Sequence, residues 1–235
     1  MSEHNGTNPF IDITKPNEAR IYDYLLGGDA HYGADRVAAE ELKVTIPHLV
    51  ERVRESRDFF RRAVRYLTRT AGIRQFIAVG AGLPTQDNIH VVAQSIIPDA
   101  RVIYVDDDPS TVTHARALLL RTRGVQAVLD RDVFPRHREV QELIDLDRPM
   151  AILLMHPHVG ETAHIREIMA PGSYLAASGP PVTFPDSCFA GLHLIEPGLV
   201  DVREWRPEST GRTKVTPPLL LGGVGHKPLP WAVAA

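Results

Sequence analysis

The sequence predicts an α/β fold: a mostly parallel sheet flanked by helices, finished by an antiparallel C-terminal hairpin and preceded by N-terminal helices. Three observations carry this expectation. From Phe76 onward, short apolar runs alternate with helix-patterned segments, as in successive βαβ units. The first run, Phe76-Ile77-Ala78-Val79, ends in Gly80-Ala81-Gly82, and the second, over 101–105, ends in Asp106, Asp107 and Asp108. The tail holds three short apolar stretches, near 192–195, 200–205 and 219–224, with turn residues between them, which suits antiparallel pairing.

Residues 1–15 are polar and read as a flexible arm. A single domain is expected over 16–235, with a helical portion at 16–72 in front of a core at 73–235. The first helix begins at Pro16-Asn17, where a capping side chain and a proline are both favourable, and stops at Gly27-Gly28. A second helix covers 34–42. A long amphipathic one, over 48–70, carries Val53, Phe60, Ala63, Val64 and Leu67 at helical spacing. Strands are expected near 75–80, 101–105, 125–129, 150–155 and 173–177, and helices near 86–97, 109–122, 136–145 and 161–170. The first strand, glycine turn, helix and acid-terminated second strand together have the layout of a nucleotide-binding unit. Glycines let the backbone approach a ligand closely, and the acid accepts hydrogen bonds from ribose hydroxyls.

Composition narrows the class. The chain has 235 residues, 43% apolar and 23% charged, which is globular and large enough for a substantial core. A net charge of −3 argues against general nucleic-acid or membrane-surface binding, and no apolar run is long enough to span a bilayer. The polar N-terminus lacks a signal-peptide core, and the single cysteine, Cys188, suits a reducing cytoplasm. Cys188 reads as a buried structural thiol in preference to a nucleophile.

The blocks ARIYDYLLGGDAHYGADR (19–36), QFIAVGAGLPTQDNIHVVAQ (75–94), ARVIYVDDDPSTVTHARALL (100–119) and LHLIEPGLVDVREWRP (192–207) resemble a family of S-adenosyl-L-methionine (SAM)-dependent methyltransferases abundant in actinobacteria, formerly catalogued as a domain of unknown function. YDYLLGG and GLPTQ are its specific motifs. The resemblance implies a Rossmann-like class I methyltransferase domain with SAM across the carboxyl ends of the strands. It implies that Gly80, Ala81 and Gly82 form the backbone floor, that Asp106, with Asp107 beside it, holds the ribose, and that Asp130 or Asp132 faces the adenine. The Tyr22–Gly28 segment, including Asp23 and Gly28, would fold over the methionine end.

Three departures from the family pattern lie at the active edge of the sheet. Ala78 replaces the acid expected two positions before the first glycine, MHPHVGETAH replaces an apolar-aromatic stretch, and the segment between Ser178 and Leu192 is short. Restoring Asp at position 78 is expected to tighten the cofactor by about 1–2 kcal/mol. His156 and His158, two apart at a strand end, are candidates for acid/base catalysis, for a metal site with Glu161 and His164, or for ordinary loop positions. No metal is expected. Tyr22 or Tyr24 is expected in the pocket, Tyr22 being the catalytic candidate, and Asp23 is a candidate partner for the cofactor's ammonium group. Asp107 and Asp108 have an alternative role as caps of the next helix. Arg52, Arg54, Arg57, Arg61, Arg62 and Arg65 are interleaved with acids and read as a solvated helix face in preference to a phosphate-binding strip.

The functional expectation is a cytoplasmic SAM-dependent methyltransferase acting on a small molecule in secondary metabolism, without nucleic-acid or membrane partners, a homo-oligomer being left open. The alternatives are a methyltransferase scaffold repurposed for cyclisation, elimination or isomerisation, with His156 or His158 as acid/base, and a non-catalytic SAM-binding protein.

Overall fold

Three helices precede the sheet in the computed structural model, which describes residues 11–85, 88–129, 138–155, 157, 159–185, 187–208 and 218–230. Helix α1 (Glu18–Leu26) starts where the Asn17 side chain accepts from the Arg20 amide. It ends at Gly27, whose φ of 84° supplies the left-handed turn that closes the helix. Helices α2 (Gly33–Thr45) and α3 (Leu49–Arg69) follow. Residues 11–15 are held against α1: the Arg20 guanidinium donates to the Asp12 carbonyl at 3.1 Å and the Lys15 carbonyl at 2.7 Å.

The βα alternation then runs as the apolar pattern requires: β1 (Gln75–Val79), α4 (Ile89–Ile96), β2 (Arg101–Asp106), α5 (Pro109–Leu119), β3 (Val125–Leu129), α6 (Arg138–Leu143), β4 (Ala151–Leu154), α7 (Val159–Ile168) and β5 (Tyr174–Gly179). Strands β1 to β5 pair in parallel in the order β3-β2-β1-β4-β5. Alternate residues feed two cores. Phe76, Ala78, Tyr104 and Leu153 face α3, α4 and α5, while Ile77, Ile103, Ile152 and Leu154 face α6 and α7. Both faces are covered, which is why these strands are near-continuous apolar runs.

The antiparallel end is built differently from a simple hairpin. Strand β8 (Leu221–His226) inserts next to β5, and the short strands β6 (His193–Leu194) and β7 (Val200–Asp201) both pair with its other edge. The physical reason is the sequence of β8, LGGVGH, which is too bare to form an outer face but slim enough to sit between crowded neighbours. A Cβ on Gly222 would lie 2.7 Å from Val202 Cγ1 and 3.2 Å from Phe59 Cζ. Trp205 follows this edge into the core against Phe59 and Tyr66. The Arg62 side chain donates to the carbonyls of Trp205 and Val202. Arg62 therefore belongs to the core and not to the solvated face expected for the arginines of α3.

Candidate functional site

In a doubly wound sheet, ligands bind outside the carboxyl ends of the strands where the strand order reverses. Here the reversal lies between β1, which leads outward to β2, and β4, which leads outward to β5. A small cleft, partly open to solvent, sits at that point. Tyr22 from α1, Arg57 and Phe60 from α3, Ala81 after β1, Ile89 of α4 and Met155 after β4 form its walls, together with Arg61.

Next to this cleft, the tips of β1 and β2 bring Gly80 and Asp106 together. The Gly80 amide donates to the Val105 carbonyl at 3.1 Å, so the first glycine and the terminal acid are neighbours. Gly80 is exposed with φ 63°, and a Cβ there would meet nothing within 4 Å. The backbone is thus bare on its outer side, as close approach of a ligand requires. Asp106 Oδ1 accepts from the Asp108 amide at 3.0 Å, and among the described residues no donor meets Oδ2. Burial pushes the Asp106 carboxyl up to about 6, with the charges of Asp107, Asp108 and Glu18 adding to the rise; the Asp108 hydrogen bond acts in the opposite direction.

The other residues expected in the site fall as follows. Gly82 lies against α1, its Cβ direction 3.6 Å from the Tyr22 ring. Tyr22 is a wall of the cleft; its hydroxyl donates to the Val53 carbonyl at 3.4 Å, and the Arg57 guanidinium lies 5.4 Å from its ring centroid. Burial pushes its phenol up, so it stays protonated at neutral pH. Tyr24 is outside the cleft, its hydroxyl on Glu40. Asp23 is buried, with Oδ2 accepting from the Ala30 amide at 2.8 Å and Oδ1 without a donor. Gly28 lies directly over it: a Cβ there would be 2.2 Å from Asp23 Oδ1, so only glycine closes this turn. Asp107 is exposed, whereas Asp108 caps α5 by accepting from Ser110 and Thr111. His156, His158, Asp130 and Asp132 lie outside the described residues, as does the side chain of Glu161.

Ala78 is fully buried between Tyr104 and Leu153. A carboxylate there would have to be enclosed before it could touch a ligand. Ala78→Asp is therefore expected to destabilise the protein by about 1–3 kcal/mol in urea unfolding, ahead of any gain in cofactor affinity. A variant as stable as the natural chain would show that position 78 opens to the cleft.

Arg57 and Asn88 are the site residues that the sequence reading missed. Asn88 is fully buried, donates to the Leu83 carbonyl at 3.2 Å and accepts from Arg57 Nη1. Arg61, also read as part of a solvated face, lines the same cleft and lies 3.6 Å from Asp58. The arrangement fits an adenosyl cofactor on three grounds. Gly80 leaves a bare floor, Asp106 keeps one carboxylate oxygen without a donor among the described residues, and a cleft with an apolar wall begins one residue beyond Gly80.

A parallel sheet with this order, an inserted antiparallel β8 and a site at the switch point define a Rossmann-like class I methyltransferase fold. Residues 4–179 match the family model described as S-adenosyl methyltransferase, and the chain belongs to that family. SAM is the family's cofactor. Two solved structures are similar over nearly the whole chain. One is of a "putative methyltransferase" from Thermobifida fusca YX, 34% identical, with a TM-score of 0.84, covering 96% of this chain and 100% of that one. The other is of a DUF574 family protein from Streptomyces avermitilis MA-4680, 32% identical, with a TM-score of 0.81, covering 93% and 100%. No curated protein matched the chain. No helix among the described residues is long and apolar enough to cross a membrane.

Proposed function

We propose that the protein binds SAM across the tips of β1 and β2, with its methionine end toward the cleft between β1 and β4, and transfers its methyl group to a small-molecule acceptor that approaches over that cleft. The observation that carries this reading is the half-buried Asp106, whose Oδ2 meets no donor among the described residues, beside the bare backbone of Gly80, at the edge of that cleft. Asp106 would accept from the ribose hydroxyls, and the backbone from Gly80 to Gly82 would support the sulfonium end. When bound, the cofactor supplies an electrophilic methyl group on a positively charged sulfur.

The chain's own contribution is chiefly positioning. Phe60, Ile89 and Met155 give the cleft an apolar wall that excludes water from the line of transfer. Tyr22, protonated and fixed by Val53, closes the α1 side. Asp23, the next residue of α1, is buried with one oxygen lacking a donor. An acceptor that must lose a proton needs a base, and we assign that task to His156 or His158. A role in secondary metabolism is part of this proposal.

Calorimetric titration with S-adenosylhomocysteine is expected to show saturable binding, and SAM should lose its methyl group to an acceptor in the presence of the protein. No heat at millimolar S-adenosylhomocysteine would remove the methyltransferase reading. Binding without any methyl transfer would favour a repurposed scaffold or a binding protein.

A further inference from the structure

Arg57 poses an electrostatic question. It is half-buried in the wall of the cleft, and among the described residues its guanidinium meets neutral groups, the Asn88 side-chain oxygen and the Tyr22 ring. No carboxylate lies within ion-pair distance of it among the described residues, whereas Arg61 and Arg65 of the same helix pair with Asp58 and Glu208. A guanidinium carries five donors in a planar fork, and a cation withdrawn from water without an anion is costly. The position looks constructed: fully buried Asn88, anchored on the Leu83 carbonyl, holds one edge of the fork. Arg57 lines the cleft together with Ala81 and Met155.

We infer that Arg57 is the anchor for the α-carboxylate at the methionine end of the cofactor. This rests on the proposed SAM site and adds to it a residue and a charge. The reasoning is spatial. Asp106 and Gly80 mark the ribose at the β2–β1 tips, so an extended ligand running from there toward β4 passes Ala81 and brings its amino-acid end to the cleft that Arg57 lines. A carboxylate matches the guanidinium in charge and in bidentate geometry. The inference also accounts for how a site without an acid at position 78 can hold the methionine end: the grip passes from the ammonium group to the carboxylate.

The test compares two ligands that differ in that end alone. S-Adenosylhomocysteine carries the carboxylate, whereas 5′-methylthioadenosine keeps the adenosine and sulfur but lacks the amino-acid part. Arg57→Gln is expected to weaken S-adenosylhomocysteine about 10- to 100-fold by calorimetry while leaving 5′-methylthioadenosine within about twofold; Arg57→Lys should recover part of the loss. An unchanged affinity for S-adenosylhomocysteine in Arg57→Gln would overturn the inference and point to an anionic acceptor as the partner. An equal loss for both ligands would also overturn it, because Arg57 would then be shaping the site as a whole. If neither ligand binds the natural protein, the SAM site itself fails, an outcome distinct from failure confined to the variants.

Discussion

Replacing Asp35 with alanine is expected to destabilise the protein by about 3–5 kcal/mol and to lower its melting temperature by on the order of 10 °C. Asp35 is fully buried in α2. It accepts from Arg20 Nε at 2.8 Å, from the Asn17 amide at 2.9 Å and from the Tyr32 amide at 2.8 Å. Its removal leaves the buried Arg20 charge with the Asp12 and Lys15 carbonyls and the Tyr32 ring, and leaves two amides without an acceptor. The pH dependence has a defined sign. Burial pushes the Asp35 carboxyl up, but the hydrogen bonds from Arg20, Tyr32 and Asn17 and the Arg20 charge outweigh it and hold the group below its usual value. A depressed folded value means that this stability is present above the ordinary carboxylate range and is lost as pH falls through the folded value. Denaturant titrations at neutral and acid pH check both points. A loss below about 1 kcal/mol at neutral pH would show that the network is energetically idle.

Asp106→Asn is expected to act in opposite directions on binding and on stability. Loss of the charged acceptor should weaken S-adenosylhomocysteine about 100-fold, since hydrogen bonds to a charged group contribute about 1.5–3 kcal/mol each. The ligand-free protein should become more stable at neutral pH, because the folded state disfavours the ionised carboxyl and the amide carries no charge. The natural protein should show the same linkage. With the group raised to about 6, stability from this carboxyl increases as pH falls from above 6 toward the unfolded value near 4, while adenosyl affinity declines through the same window. Calorimetry from pH 5 to 8, paired with melting curves of the free protein, measures both. Affinity that is flat across pH 6 would mean that Asp106 does not face the ligand in ionised form.

The readable parts of the sequence were those set by short-range rules. Asn17 and Asp108 could both be named as helix caps, because a cap is a side-chain oxygen meeting amides two or three residues ahead. What the sequence does not display is that these two caps also bind each other, Asn17 Nδ2 to Asp108 Oδ2 at 3.0 Å, joining α1 to the β2 tip across 91 residues. The same limit explains the arginines of α3. Charges three and four apart with interleaved acids describe a wet face, and Arg61 does approach Asp58. Arg62, however, finds its acceptors 140 and 143 residues away, and Arg57 finds Asn88 in another helix cap. Long side chains with apolar stems can enter a core wherever carbonyls or amides receive the head, and no periodicity shows that. The glycine turn and terminal acid were legible because their spacing is itself the chemistry.

The split outer strand of the sheet has a consequence for behaviour in concentrated solution. β6 and β7 are two residues each, and their register against β8 slips by three residues between them, around Glu196 and Pro197. A long flat rim of unpaired amides invites another polypeptide to dock and extend the array, the first step toward edge-to-edge aggregation. This rim is interrupted before any such template becomes long enough to use.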